Sequence, residues 1–194
     1  MECVKCGEQN VGGVEACARC TWPFSLPAWK STSFWIRRIT VDTGSINAKG
    51  QTPELNTLER WEAEGKVDLQ RSDAMPRELD GEAWVMKARP LSAQPGLFSL
   101  DPGVLEGPDV LAGPDLRSEL EEILFPDARP VTDNQASDVE HLRRHVLAGS
   151  DVFVTLNVND FVLRGRSEEL RARGIWILTP TELVRLLSEL YEWA

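Results

Sequence analysis

The sequence predicts an α/β fold, a mainly parallel sheet flanked by helices, preceded by a small cysteine-bound element. Three observations carry this. Strand and helix signals alternate from Phe34 onward, the pattern of a parallel sheet with crossover helices. All four cysteines fall within the first twenty residues. Between the two regions lies a stretch rich in proline and hydroxyl residues, suited to a short stiff connector. The expected boundaries are therefore 1–24 for the cysteine element, 25–33 for the linker and 34–194 for the α/β domain.

Phe34 to Val41 is a β-branched and aromatic run ending at Asp42, which reads as the first strand. Thr52 and Pro53 supply an N-cap and a first-turn proline; Leu55, Leu58 and Trp61 follow at helical spacing, and Gly65 closes the helix. Val67 to Gln70 is a short strand. Ser72 or Asp73 caps the next helix, which carries Glu78 and tolerates Pro76 in its first turn. Residues 89–114 hold five prolines and four glycines among apolar residues, and read as one irregular surface insertion. A helix follows over 115–125. Ser137 and Glu140 read as a capping box that starts a helix at Asp138, with Val139, Leu142 and Val146 on one face and Gly149 at its end. Val152 to Thr155 is the next buried strand. A helix over 167–173 leads to a strand at Ile175 to Leu178. Thr179, Pro180 and Glu182 then cap a closing helix with Leu183, Leu186, Leu187 and Leu190 on one face.

A chain of 194 residues with 42% hydrophobic content can bury one medium core plus an appendage, which excludes a multi-domain machine, a disordered chain and a collagenous one. No apolar run approaches the roughly 20 residues of a membrane helix, and Met1-Glu2-Cys3 does not begin a signal peptide. A cytoplasmic, soluble protein without a membrane partner is expected. The net charge of −10 repels nucleic acid unless charges are segregated. Residues 101–140 carry eleven acids against Arg117 and Arg129, whereas 141–185 carry seven arginines against five acids. A basic face beside an acidic pocket is compatible with that distribution.

Cys3-x-x-Cys6 and Cys17-x-x-Cys20 are two pairs ten residues apart. Each pair places two thiolates on one tight turn, and two facing turns offer four soft ligands in tetrahedral geometry, the arrangement of structural zinc. Gly7 suits the first turn; Thr21 takes the equivalent place in the second. Two disulfides, a redox pair and an iron site with four cysteine ligands are the alternatives. An intracellular chain and the lack of a flanking strand–helix unit rank zinc first. Residues 1–24 resemble a zinc ribbon, a family whose members most often grip nucleic acid or another protein. A segment this short buries no core of its own, so its folding depends on the metal.

In a parallel α/β sheet the ligand crevice lies beyond the carboxyl ends of the strands, so polar residues just after a strand carry most weight. Asp42 follows the first strand, Asp138 opens the capped helix, and Thr155-Leu-Asn157-Val-Asn-Asp160-Phe161 follows the later strand. Over residues 35–190 the chain resembles a PIN domain, a ribonuclease family. The matching pieces are the strand into Asp42-Thr43, Glu78 on the helix after the second strand, Asp138, and Gly149-Ser-Asp-Val-Phe-Val-Thr155-Leu156-Asn157 with Asp160-Phe161; Gly174-Ile175 and Thr179-Pro180 match the last strand and turn.

The resemblance implies a metal-dependent ribonuclease that cleaves single-stranded RNA, with one or two Mg²⁺ or Mn²⁺ ions held by carboxylates. It puts Asp42, Glu78 and Asp138 on acidic family positions and gives Thr155 a place near a phosphate or a water. Asn157 departs from the family, which usually has aspartate there; Asp160 lies three residues on. Loss of that charge opens a second reading, a catalytically weakened PIN-like module that binds RNA or a protein through the ribbon or the 89–114 insertion. Each acid also has an ordinary explanation: an Asx turn at Asp42, a helix-dipole contact at Asp138, helix surface at Glu78, whose face Glu82 shares. His141 and His145, one turn apart, read as partly exposed helix histidines. Trp22, Trp29 and Trp35 cluster where ribbon and domain join.

Overall fold

The computed structural model describes residues 8–19, 36–42, 44–45, 52–72, 107–128 and 130–192, together with 92–93; of 92–93 and 107–115 it describes the backbone. Glu78, Cys3, Cys6, Cys20, the linker and the three junction tryptophans lie outside the described residues.

Among the described residues five strands form one sheet: β1 (Arg38–Val41), β2 (Asp68–Arg71), β3 (Ser92–Ala93), β4 (Val152–Val154) and β5 (Ile177–Leu178). Their order is β3-β2-β1-β4-β5 and every pairing is parallel. The helices among these residues are α1 (Pro53–Ala63), α2 (Gly107–Leu124), α3 (Asp133–Leu147), α4 (Val158–Phe161), α5 (Arg166–Ala172) and α6 (Pro180–Tyr191). No helix among the described residues is long and apolar enough to cross a membrane.

The sheet is apolar on both faces, as parallel strands under two helical layers must be. Val152 and Val154 join Ile39, Val41 and Leu69 in one cluster under α1 and α6, whose Leu55, Leu58, Trp61, Leu183 and Leu187 are buried against it. Phe153, between them, points to the other face, where it meets α2, α3 and α5 through Leu120, Leu124, Leu142 and Leu170. Trp176 and Leu178 likewise face the first cluster, and Ile177 the second.

Two expectations are corrected here. The Ser137–Glu140 box does not start α3. The functioning box is Thr132 with Gln135: the Thr132 side chain accepts from Gln135 N, and the Gln135 side chain accepts from Thr132 N. Asp138 therefore sits in the second helical turn. Thr132-x-x-Gln135 and Ser137-x-x-Glu140 both fit the motif, and once the upstream box satisfies the free N–H groups the helix simply runs through Ser137. The 89–114 segment is not irregular throughout, because Ser92–Ala93 pairs with Gln70 and Arg71 as the sheet edge and α2 begins at Gly107. Pro108 stands in the first turn of α2, where proline removes no helical bond, so the proline-rich composition concealed a helix start. The closing box does form as expected, with Thr179 and Glu182 capping each other.

The ends of the domain are tied together through Tyr191, the single tyrosine of the chain. Its hydroxyl accepts from Ile36 N at 2.7 Å. Burial pushes the Tyr191 phenol above its ordinary value, although the Ile36 amide works the other way. The folded state thus favours the neutral phenol. Its contribution is complete below the unfolded value of about 10 and is lost as pH rises through the folded value. Tyr191→Phe should cost about 1 kcal/mol at neutral pH by leaving Ile36 N without its acceptor, and should flatten the alkaline fall in stability. Urea denaturation of both proteins between about pH 8 and 11 checks this; identical alkaline slopes would count against it.

Candidate functional site

The order β3-β2-β1-β4-β5 reverses direction between β1 and β4, and a crevice opens at such a switch point. Two predicted residues stand at that place. The register pairs Val41 with Val154, so Asp42 and Thr155 leave adjacent strands side by side. Asp42 N donates to Val154 O at 2.9 Å, and Thr155 N to Leu178 O at 3.2 Å. Asp42 is 6% exposed and Thr155 fully buried.

A chain of hydrogen bonds runs outward from them. The Thr155 hydroxyl donates to Asp42 Oδ2 at 2.8 Å and accepts from Asn157 N at 2.9 Å. Because the amide occupies a lone pair, the hydroxyl proton is directed at the carboxylate. Asn157 is also the N-cap of α4: its Oδ1 accepts from Asp160 N at 3.4 Å. That contact leaves the Nδ2 hydrogens facing two acids, Asp160 Oδ2 at 2.9 Å and Asp138 Oδ2 at 3.4 Å. Asp42, Asp138, Thr155, Asn157 and Asp160 are thereby assembled at one rim from β1, α3, β4 and α4.

The amide of Asn157 thus offers positive hydrogen to the space between Asp138 and Asp160. Among the described residues no three His, Cys, Asp or Glu side chains group closely enough to hold an ion by themselves. The groups able to ligate an ion at this rim are carboxylate, amide and hydroxyl oxygens, and Glu78 lies outside the described residues.

Several features of this region were not expected. His141 and His145 are both 2% exposed, not partly exposed as their helix spacing suggested. His145 faces the sheet, with Nδ1 2.9 Å from Thr40 Oγ1 and its ring edge-on to Phe153. Ser45, just beyond Asp42, is fully buried and its hydroxyl has no hydrogen-bond partner among the described residues. The arginines of 141–185 are mostly turned to internal duty: Arg143 and Arg144 share Glu140, Arg173 pairs with Glu119 and Glu169, Arg171 stacks on Trp176 and Arg166 is buried. Arg164 and Arg185 are the exposed ones of the seven. A charge count along the chain cannot distinguish these fates, because helix pairing decides them.

In the cysteine region, Cys17 is buried. Asn10 clasps it: Nδ2 donates to Cys17 Sγ at 3.6 Å and to Glu8 O at 2.8 Å, while Oδ1 accepts from Ala18 N at 2.9 Å. Gly13 takes φ 84° in the intervening turn, a conformation that side-chain-bearing residues avoid.

Comparison with protein-family models, with curated proteins and with solved structures gives no match. The geometry of the rim and the residue pattern therefore carry the functional reading.

Proposed function

We propose that the chain is a metal-dependent ribonuclease of the PIN type acting on single-stranded RNA, with Asp42, Asp138 and Asp160 as its described carboxylates and Glu78 as a further one. The observation that carries the reading is the connection of Asp42 to Asp138, distant in sequence, through Thr155 and Asn157 at the switch point of the sheet. Such an all-oxygen set fits a hydrated Mg²⁺ or Mn²⁺, which takes one or two carboxylates and keeps several waters. When bound, the ion supplies an acidified water and offsets charge on the scissile phosphate, so in-line attack leaves 5′-phosphate and 3′-hydroxyl ends. Thr155 orients the Asp42 carboxylate by donating a hydrogen bond to it. Asn157 holds Asp138 and Asp160 on a common side.

One observation favours a second reading, a catalytically weakened module that binds RNA or a protein partner. The Asn157 amide already gives Asp138 and Asp160 a shared hydrogen-bond donor, at the place where an ion would otherwise bridge them. An aspartate there would have made a third carboxylate demanding a cation.

The two readings part in a cleavage assay of the full chain on single-stranded RNA with Mn²⁺. Cleavage by the native protein that falls about a hundredfold or more in Asp42→Asn supports the nuclease. Cleavage that emerges only in Asn157→Asp supports the weakened module, and none in either form removes the nuclease reading.

For the N-terminus the reading is a structural Zn²⁺ held by Cys3, Cys6, Cys17 and Cys20. What supports it is the spacing of the two cysteine pairs together with the burial of Cys17 and an amide hydrogen directed at its sulfur, the kind of outer contact that accompanies thiolate ligands. The ribbon would then help hold RNA or a protein partner. Zinc-bound thiolates of this kind would suit a cytoplasmic location.

A further inference from the structure

We infer that Arg166 is a positioning residue for the acidic rim, fixing α4 and through it the side chains of Asn157 and Asp160. The inference rests on the carboxylate-site reading above. Arg166 opens α5 and is 8% exposed, so its charge needs partners within the fold. Those partners belong to the rim. Nη1 donates to Asn159 O at 2.8 Å and to Asp160 O at 3.0 Å, and lies 3.9 Å from Asp160 Oδ1. The guanidinium also sits over the Phe125 ring, 5.6 Å from its centroid, which restricts how far it can swing.

A four-residue helix cannot hold its own geometry, because one turn of hydrogen bonds does not offset the cost of ordering it. α4 is secured from outside at two points. Phe161 is fully buried against Phe153 and sets its depth. A single apolar contact leaves rotation about that side chain free. Arg166 removes the freedom by gripping the carbonyls of the last turn, which lack helical partners. Asn157, at the other end of the same turn, is thereby held with its amide between Asp138 and Asp160. Backbone conformation supports the reach, since Arg164 and Gly165 take φ 63° and 76° to turn the chain from α4 into α5.

The test uses full-length Arg166→Met and Arg166→Lys. Mn²⁺ uptake is followed by the paramagnetic signal of the free ion at a temperature where circular dichroism shows each variant fully folded. The Asn157 side-chain amide is followed by nitrogen-edited NMR. Arg166→Met should weaken Mn²⁺ binding about tenfold or more and shift the Asn157 amide resonances. Arg166→Lys keeps a charge and three donors but not the planar fork, so both of its values should fall between native and Met. Native Mn²⁺ affinity with unmoved Asn157 resonances in a folded Met variant would reduce Arg166 to a fold stabiliser and overturn the inference. If the Met variant does not fold, the Lys variant decides: a displaced Asn157 amide supports positioning and an undisplaced one overturns it. A native protein that takes up no Mn²⁺ sinks the nuclease reading alone, because the Asn157 resonances still judge Arg166.

Discussion

Phe153→Ala should destabilise the protein by about 3–5 kcal/mol, the usual cost of emptying a buried aromatic site. Phe153 lies on β4, between β1 and β5, and is fully buried. Its ring meets His145 edge-on, with centroids 5.5 Å apart and planes at 72°, and meets Phe161 at 5.3 Å and 44°. Aromatic contacts of this kind add to the area buried. Strands on both sides prevent the backbone from closing over the void, so little relaxation is available. The loss also reaches the rim, since Phe161 holds α4 in place. Urea denaturation should show the full cost for Ala and a much smaller one for Phe153→Leu, which refills most of the volume. An Ala cost below about 1.5 kcal/mol would contradict this picture of the second core.

Asn157→Asp should make stability depend on the metal. In the native chain the Asn157 amide satisfies Asp138 and Asp160 together. Aspartate removes both hydrogens and adds a negative charge, so without a divalent ion the variant should lose about 1–3 kcal/mol. Mn²⁺ at about a hundred times its dissociation constant then returns about 2.7 kcal/mol. Scanning calorimetry of both proteins with and without Mn²⁺ checks the linkage. The variant should melt lower than native in chelator and show the larger Mn²⁺-induced rise. Equal responses in the two proteins would mean that residue 157 does not govern the charge at the rim.

Much of this organisation is legible along the chain. The Thr179–Glu182 box, the leucines of α6 and the apolar run of β4 follow local rules of capping and periodicity, and the structure keeps them. Asp42 and Thr155 stand out because each directly follows a strand, and parallel strands carry such residues to the same edge. Other features have no local signature. Ser137 and Thr132 both offer a capping box, and the sequence alone does not choose between them. His141 and His145 share a helix face in any reading, but whether that face meets solvent or the sheet depends on the packing of α3. Arg166 is one arginine among several in a charged segment, and only the turn from α4 into α5 brings its guanidinium to the carbonyls of residues 159 and 160.

What the amino-acid order settles alone is the main alternation of strand and helix, the bounds of α1, α5 and the start of α6, and the residues that follow β1 and β4, because these obey interactions within a few positions of one another. The tertiary structure decides the strand order, the joining of Asp42 to Asp138 through Thr155 and Asn157, and the burial of His145 and Arg166. Those depend on contacts between segments far apart in the chain, whose free energy is set by the register of β1 against β4 and by which helix face is covered.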